Sequence, residues 1–413
     1  MKIILVSVSL SMTLFGLTLS ESIDLALKNS PKIAISQSNV KYNEYMKDEA
    51  SSAYHPSLHA GFSWQKLENP TAFSFSPSHN YNLSLKYNIF NGFSDYLAVS
   101  SKESEIESAR LESKAVMADL KLEVIVAYTN YLKVQKSIKV QEDQLSSLTK
   151  QYNDTEVKYE QGVVAKNDLL LIEVEKLKAQ QALIKAKSDF VLAKSNLENV
   201  MATKVLENDN VDDFDASVEE VDSMAVLEKQ MLENRSEIKA MMFLSQSLQS
   251  QKDAITGNYL PKVNLEASHQ INDKERTSGT AIFQPKDQTT YGVNVSWALY
   301  SGLRNVAVKK ALLEKDNQQN YQLHQLKLDL QNQLVSAYEN LKVAKSAKSV
   351  ALKAKESAEE NYRITSDRYS YGDVDTLTLL VSQTNLTQAE NANNDAYYNL
   401  YVAYKTLLRI VSE

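Results

Sequence analysis

The chain has 413 residues, 43% of them hydrophobic, and a formal net charge of −7. Acidic and basic residues are interleaved, which argues against a nucleic-acid-binding face. The absence of cysteine excludes disulfides and thiolate metal sites. Nine Gly and six Pro are few for this length and favour long helices.

Lys2 followed by the uncharged, apolar and small stretch Ile3 to Leu19 reads as an export signal over residues 1–16, cleaved near Gly16. The stretch is short for a membrane anchor, and no stop-transfer flank follows. Leu19 to about Ala53 reads as a helix, with Ser20 or Ser22 as its cap and a kink or break at Pro31.

The period then changes to two. Leu58, Ala60, Phe62 and Trp64 alternate with polar or small residues, as do Tyr81, Leu83, Leu85, Tyr87 and Ile89. Farther along, Val263, Leu265, Ala267 and Ile271 form a third such run, and Tyr291, Val293, Val295, Trp297 and Leu299 a fourth. Four strands of about ten residues, each with one apolar and one polar face, match strands that cross an outer membrane around a wet lumen. Their aromatic residues lie near the ends, where an interfacial girdle would sit. A soluble sandwich with one buried face would show the same alternation.

Each strand pair ends in a turn, Phe90-Asn91-Gly92-Phe93 or Tyr300-Ser301-Gly302-Leu303, and feeds a long helix, about Asp95 to Gln161 or Asn305 to Tyr371. At 1.5 Å per residue each helix is about 100 Å long. Met117, Leu120, Val124, Ala127, Tyr131, Val134, Ile138, Gln141, Leu145, Leu148, Tyr152, Thr155 and Tyr159 form a heptad seam interrupted in apolar character only by Gln141 and Thr155. The chain turns at Gly162, which suits a left-handed position past the helix end, and Asn167 or Asp168 suits the next N-cap. The return arm carries its own seam: Leu169, Ile172, Lys176, Ala179, Leu183, Ala186, Phe190, Ala193, Leu197 and Val200. Tyr128, Tyr131, Tyr152 and Tyr159 are expected to pack the seam with their hydroxyls toward water.

The whole pattern occurs twice. A shift of 210 residues carries the first hairpin onto a second that turns at Gly372, and a shift of about 205 relates the leading helices. The predicted organisation is a first repeat over 17–205, an acidic linker over 206–223 with Asp209, Asp212, Asp213 and Asp215, and a second repeat over 224–413. The linker is expected to be solvated. Return arms and leading helices, stacked end to end, match one long helix, which predicts a cylinder wall. Four strands cannot close a barrel, and lipid does not tolerate an open sheet edge, so a membrane-spanning chain must share a barrel with copies of itself. Two copies would give eight strands and three would give twelve. The fold class is therefore mainly α with membrane β.

The order of these features resembles the TolC-like outer-membrane efflux proteins over nearly the whole mature chain. The carriers are the run Leu17-Thr18-Leu19-Ser20-Glu21-Ser22-Ile23-Asp24-Leu25-Ala26-Leu27-Lys28-Asn29-Ser30-Pro31, Tyr54-His55-Pro56 and Tyr259-Leu260-Pro261, the aromatic-x-Gly turns at Phe90 and Tyr300, and the Gly turns at 162 and 372. The resemblance implies a homotrimer with a helical α-barrel continuous with a twelve-stranded antiparallel β-barrel. It further implies a periplasmic tunnel and an exit duct joined through a periplasmic adaptor to an inner-membrane pump. Efflux and type I secretion both fit. It also implies a gate at the hairpin tips. Asn167 and Asp168 take the place of the polar pair after the first turn, and Tyr369 that of the linking tyrosine before the second. Val374 stands where the family carries an arginine, though Arg368 is near, and Thr378 and Val381 occupy the places of its acidic ring. Asp373 and Asp375 lie closer to the turn and could form a cation-favouring ring across three copies.

Phe62, Trp64, Leu83, Leu85, Val263, Leu265, Val293, Val295 and Trp297 are then the expected lipid-facing residues. No phosphate-binding loop, His-Glu-x-x-His or Gly-x-Ser-x-Gly motif is present, and His55, His59, His79, His269 and His324 lack metal spacing, so neither an enzyme nor a cofactor or metal is expected. The rival reading is a secreted coiled-coil scaffold or adhesin without a pore.

Overall fold

A computed structural model of the chain describes residues 17–69, 75–205, 211–276 and 287–412. The expected export signal and Asp209 lie outside them. Two helices, α1 (Leu19–Asn29) and α2 (Pro31–Ser51), lead through a short 3-10 turn into strands β1 (Ser57–Gln65) and β2 (Phe75–Asn91). The long helix α3 (Ser94–Glu160) and its return arm α4 (Lys166–Met201) follow. The second copy runs α5 (Met224–Asn234), α6 (Ser236–Thr256), β3 (Lys262–Arg276), β4 (Asp287–Ser296), α7 (Arg304–Ser370) and α8 (Thr376–Val411). The offsets are constant: α1 and α2 recur 205 residues later as α5 and α6, and α3 and α4 recur 210 residues later as α7 and α8, with equal lengths. The duplicated hairpins expected from the periodicity are thus present. No described helix is long and apolar enough to cross a membrane.

The helix ends show which local chemistry wins. The cap of α1 is Thr18, not Ser20 or Ser22: its hydroxyl accepts the Glu21 N–H at 3.2 Å while Glu21 accepts the Thr18 N–H at 2.9 Å. Ser22 instead is buried and donates to the Thr18 carbonyl. The expected break falls at Ser30, extended just before Pro31. In the second copy Arg235 is extended at the same place, with no proline after it. Gly162 and Gly372 have φ of +71° and +80°, the left-handed conformation the turns require.

The chain forms two compact units, one within Met1–Ser36, Ser113–Ser236 and Lys327–Glu413, the other within Gln37–Glu112 and Glu237–Leu326. In the first unit the α3–α4 seam buries Leu120, Val124, Ala127, Tyr131, Leu197 and Met201 together with Ala26 of α1. Nearer the tips, Leu148, Ile172 and Ala179 pack with Leu380 of α8. The alanines of the return arms allow this close approach. In the second unit one antiparallel sheet has the order β1-β2-β3-β4.

Candidate lipid-facing sheet, tips and strap

The register of the sheet settles which side chains share a face. Leu58 pairs with Leu85, Leu85 with Ala267, and Ala267 with Tyr291. Tyr87, Leu265 and Val293 form the next row, and Phe90, Val263 and Val295 the one after. Because paired residues point the same way, one face is an apolar field that includes the expected Phe62, Trp64, Leu83, Leu85, Val263, Leu265, Val293 and Val295. Val293 and Val295 are 65% and 63% exposed, with no protein layer over them. The other face carries Lys86 beside Glu266 at 3.6 Å and rows of Asn and Ser. Polar residues interrupt this face: the His269 ring nitrogen and the Thr289 hydroxyl lie 2.8 Å apart, His79 stands opposite Trp64 and Asp287 opposite Ile271. Phe62 and Tyr81 bring their rings to 5.0 Å near one end of the strands.

Trp297 is a correction. It was expected within the fourth strand, but β4 stops at Ser296, where Ser296 meets Lys262, the first residue of β3. Pairing runs out there. The Trp297 indole N–H donates to the Tyr259 carbonyl at 3.0 Å instead.

The tips carry a second correction. Neither Asn167 nor Asp168 caps α4; Ala165 is the N-cap and offers no side-chain bond, so both polar residues fall inside the first turn. There an acidic Asp168 still complements the helix dipole. Its carboxylate has no hydrogen-bond or ion-pair partner among the described residues. In the second copy Asp375 does cap α8, accepting the Thr378 N–H at 2.8 Å. Hydrogen bonds from the Thr378 side chain and backbone hold the Asp375 carboxyl below the usual range. Tyr369 is half-buried; its hydroxyl lies 3.5 Å from that of Thr376, and the Lys158 ammonium sits 5.4 Å from its ring centre. Arg368, Gly372 and Asp373 are exposed, with the Asp373 N–H donating to the Arg368 carbonyl at 2.9 Å. Behind the tips the Gln151 amide donates to Gln383 at 3.0 Å, the Ser147 and Tyr362 hydroxyls meet at 3.1 Å, and Lys176 lies 3.8 Å over the Tyr152 ring. Lys176 was visible as the charged position of the return-arm seam; its partner was not.

The described part of the acidic linker is a strap rather than a solvated tether. Val211 bridges to Leu17, and the Tyr128 hydroxyl, on a fully buried ring, donates to the carbonyls of Leu17 and Asp212 at 2.8 and 2.6 Å. Phe214 inserts among Tyr128, Tyr398 and Tyr401, at 4.8 Å from the last. The Tyr398 hydroxyl donates to Asp213 at 2.7 Å, Lys136 pairs with the same carboxylate at 2.8 Å, and the Ala216 N–H donates to the Tyr397 hydroxyl at 2.9 Å. The expectation that Tyr128 reaches water therefore fails; burial raises its phenol well above the usual value. Tyr152 donates to Glu156, and Tyr159 stays exposed. For Asp213, burial works to raise the pKa, but the bonds from Lys136 and Tyr398 outweigh it and hold the carboxyl below its usual value. A carboxyl depressed on folding stabilises above its unfolded pKa of about 4, and that contribution is lost as pH falls through the lower folded value. Hydrogen exchange of amides 211–216, corrected for intrinsic rate, is accordingly expected to accelerate below about pH 4. Asp213→Asn is expected to flatten that acid dependence.

A four-stranded sheet with a bare apolar face, continued by coiled helical hairpins in duplicate, defines the class of outer-membrane channels. The model of the outer membrane efflux protein family matches residues 22–203 and 227–413, and the chain belongs to that family. Its place is the outer membrane. Among solved structures the chain is similar to the outer membrane protein VceC from Vibrio cholerae, at 16% identity and a TM-score of 0.76 over 95% of each chain. It is similar to the CmeC outer membrane channel of Campylobacter jejuni, at 15% identity and a TM-score of 0.79 over 95% of this chain and 85% of that one. The MtrE outer membrane channel of Neisseria gonorrhoeae, solved in an open state, gives 16% identity and a TM-score of 0.79, over 95% and 88%. At these identities the likeness speaks for the fold. No curated protein matches the chain in sequence.

Proposed function

We propose that three copies of this chain form the exit duct of a tripartite efflux or type I secretion system. The repeats 17–205 and 224–413 would each supply two strands and one coiled hairpin, joined by the linker 206–223. Three sheets would close a twelve-stranded barrel in the outer membrane, and the helices would form a tunnel in the periplasm. The duct would receive substrate passively from a periplasmic adaptor and an inner-membrane pump. The observation that supports this reading is the sheet: one face mainly apolar and exposed, with β1 and β4 as its two outer strands. Unsatisfied edge groups are not tolerated in lipid, and closure with further copies removes both edges. A secreted scaffold would release from membranes on a carbonate or urea wash, whereas the duct stays with them.

The gate belongs at the tips. Asp168, in the first turn of α4, has no side-chain partner among the described residues, and the Tyr369 hydroxyl lies 3.5 Å from that of Thr376. A carboxylate–phenol hydrogen bond between neighbouring hairpins would latch the closed state, with Asn167 and Arg368 as further polar groups at the rim. Asp373 and Asp375, three of each, would favour cations at the mouth. Combining Asp168→Ala with Tyr369→Phe is expected to raise single-channel conductance in planar bilayers severalfold and to increase antibiotic entry. Wild-type conductance in the double variant would remove these residues from the gate.

A further inference from the structure

Where the sheet meets the helices, its polar face is hollowed. A concavity of about 380 Å³ opens there, lined among others by His55, Lys86, Asn88, Asp95, Lys262 and Asn264, all within one compact unit. The register lays three rows across it: Lys86 opposite Glu266, Asn88 opposite Asn264, and Asn91 opposite Lys262. The two lysines therefore flank the Asn88–Asn264 pair, one row to either side.

Some of these groups are engaged and some are not. Both oxygens of Asp95 accept amide hydrogens, from Asn88 at 2.5 Å and from Asn91 at 2.9 Å. Lys86 reaches Glu266 only at 3.6 Å, with both side chains about half exposed, a pairing that contributes little. The Lys262 ammonium, the His55 ring and the Asn264 amide have no hydrogen-bond or ion-pair partner among the described residues.

The duplicated chain supplies its own control. The repeat-related positions carry Leu260 for His55, Ser296 for Lys86, Ala298 for Asn88 and Asn305 for Asp95, and Lys262 itself stands where the first repeat has Ser57. The second junction nevertheless has the same backbone turn: Gly302 and Leu303 have φ of +63° and +64°, as Gly92 and Phe93 have +64° and +63°. Passing from strand to helix thus does not require the lysines, the histidine or the carboxylate.

We propose that this hollow binds a small solute carrying two or more carboxylate or phosphate groups, with Lys86 and Lys262 on its anionic groups and the Asn264 amide between them. Its volume falls among those of small-molecule sites, about 300–1,000 Å³. Ammonium groups on flexible stems act as point charges, which suits anions of varied shape. The inference rests on the exit duct proposed above for its setting. There the polar face lines the lumen, three such sites ring the path where barrel joins tunnel, and anionic solutes are concentrated in transit.

The site lies within one chain, so binding can be read apart from conduction. Pyrophosphate titrated calorimetrically into the detergent-extracted protein is expected to bind at one molecule per chain. Lys86→Gln with Lys262→Gln is expected to weaken binding at least roughly tenfold. Arg304→Gln, which removes a positive charge at the second junction, is expected to leave it within about twofold. Glu266→Gln, which frees Lys86, is expected to tighten it. No binding by the wild-type protein, or equal losses in the double variant and in Arg304→Gln, overturns the site. Unchanged or weaker binding in Glu266→Gln overturns the part assigned to Lys86. In planar bilayers, pyrophosphate is expected to reduce the wild-type current more than that of the double variant. A channel that conducts without binding pyrophosphate overturns the site and leaves the duct standing. Binding by a protein that forms no channel supports the site and overturns the duct.

Discussion

Arginine in place of Val293 is expected to keep the protein out of the outer membrane. Val293 lies in the row Tyr87-Leu265-Val293 on the apolar face, 65% exposed with no side chain over it. In water this exposure would make the substitution nearly neutral or mildly favourable. In a lipid-facing strand near mid-bilayer, a guanidinium costs about 2–4 kcal/mol, and three symmetry-related copies about 6–12 kcal/mol per barrel. The sign of the effect thus depends on the medium. The oligomer extracted from membranes is expected to be lost for Val293→Arg and to persist for Asn294→Arg, one residue away on the polar face. Equal assembly of both would place that face away from lipid.

Tyr128→Ala is expected to be the most damaging single change in the helical part. The ring, on α3, is fully buried beside Phe214 of the strap, and its hydroxyl donates to the carbonyls of Leu17 and Asp212. Removing a buried aromatic side chain costs about 3–5 kcal/mol through lost transfer energy and the cavity left behind. Here the strap also loses the hydroxyl that holds its start at Asp212, so cleavage by a protease between 211 and 222 should rise together with the fall in melting temperature. Tyr128→Phe separates the two contributions: it keeps the packing and takes the hydroxyl from the Asp212 carbonyl, at about 1–3 kcal/mol, while the Leu17 carbonyl still accepts the Asp212 N–H. Unchanged cleavage in both variants would mean that the strap is held elsewhere.

Much of the architecture was legible because it rests on periodicity. The heptad steps of α3, α4, α7 and α8, the period-two strands and the constant offset between copies are all properties of residue spacing. Ile172, Ala179 and Leu197 of α4 sit in the core as their seam positions require, and the polar Thr155 is buried at its position in the seam of α3. What spacing does not encode is a contact between distant segments. The strap looked like an acidic tether because Asp212, Asp213 and Asp215 dominate it. Its hold comes from Tyr128, Tyr397 and Tyr398 on two other helices, and the lone aromatic Phe214 among the carboxylates was the available clue. Cap chemistry was legible in part. Thr18-Leu19-Ser20-Glu21 is a capping-box sequence that outranks the serines after it. At the first tip Asn167 or Asp168 suits the cap by sequence, yet the position equivalent to Asp375 is Ala165, and the helix starts there without side-chain help. The end of β4 was not legible because a strand ends where its pairing ends, and β3 begins at Lys262, opposite Ser296.

The mass of the detergent-extracted protein, measured by light scattering with the detergent contribution subtracted, tests the central claim most directly. Three protomers are expected, because twelve strands close a barrel with room for a duct, whereas the eight of two copies enclose only filled space. A single protomer would contradict it, leaving a four-stranded sheet with a bare apolar face and nothing to close it.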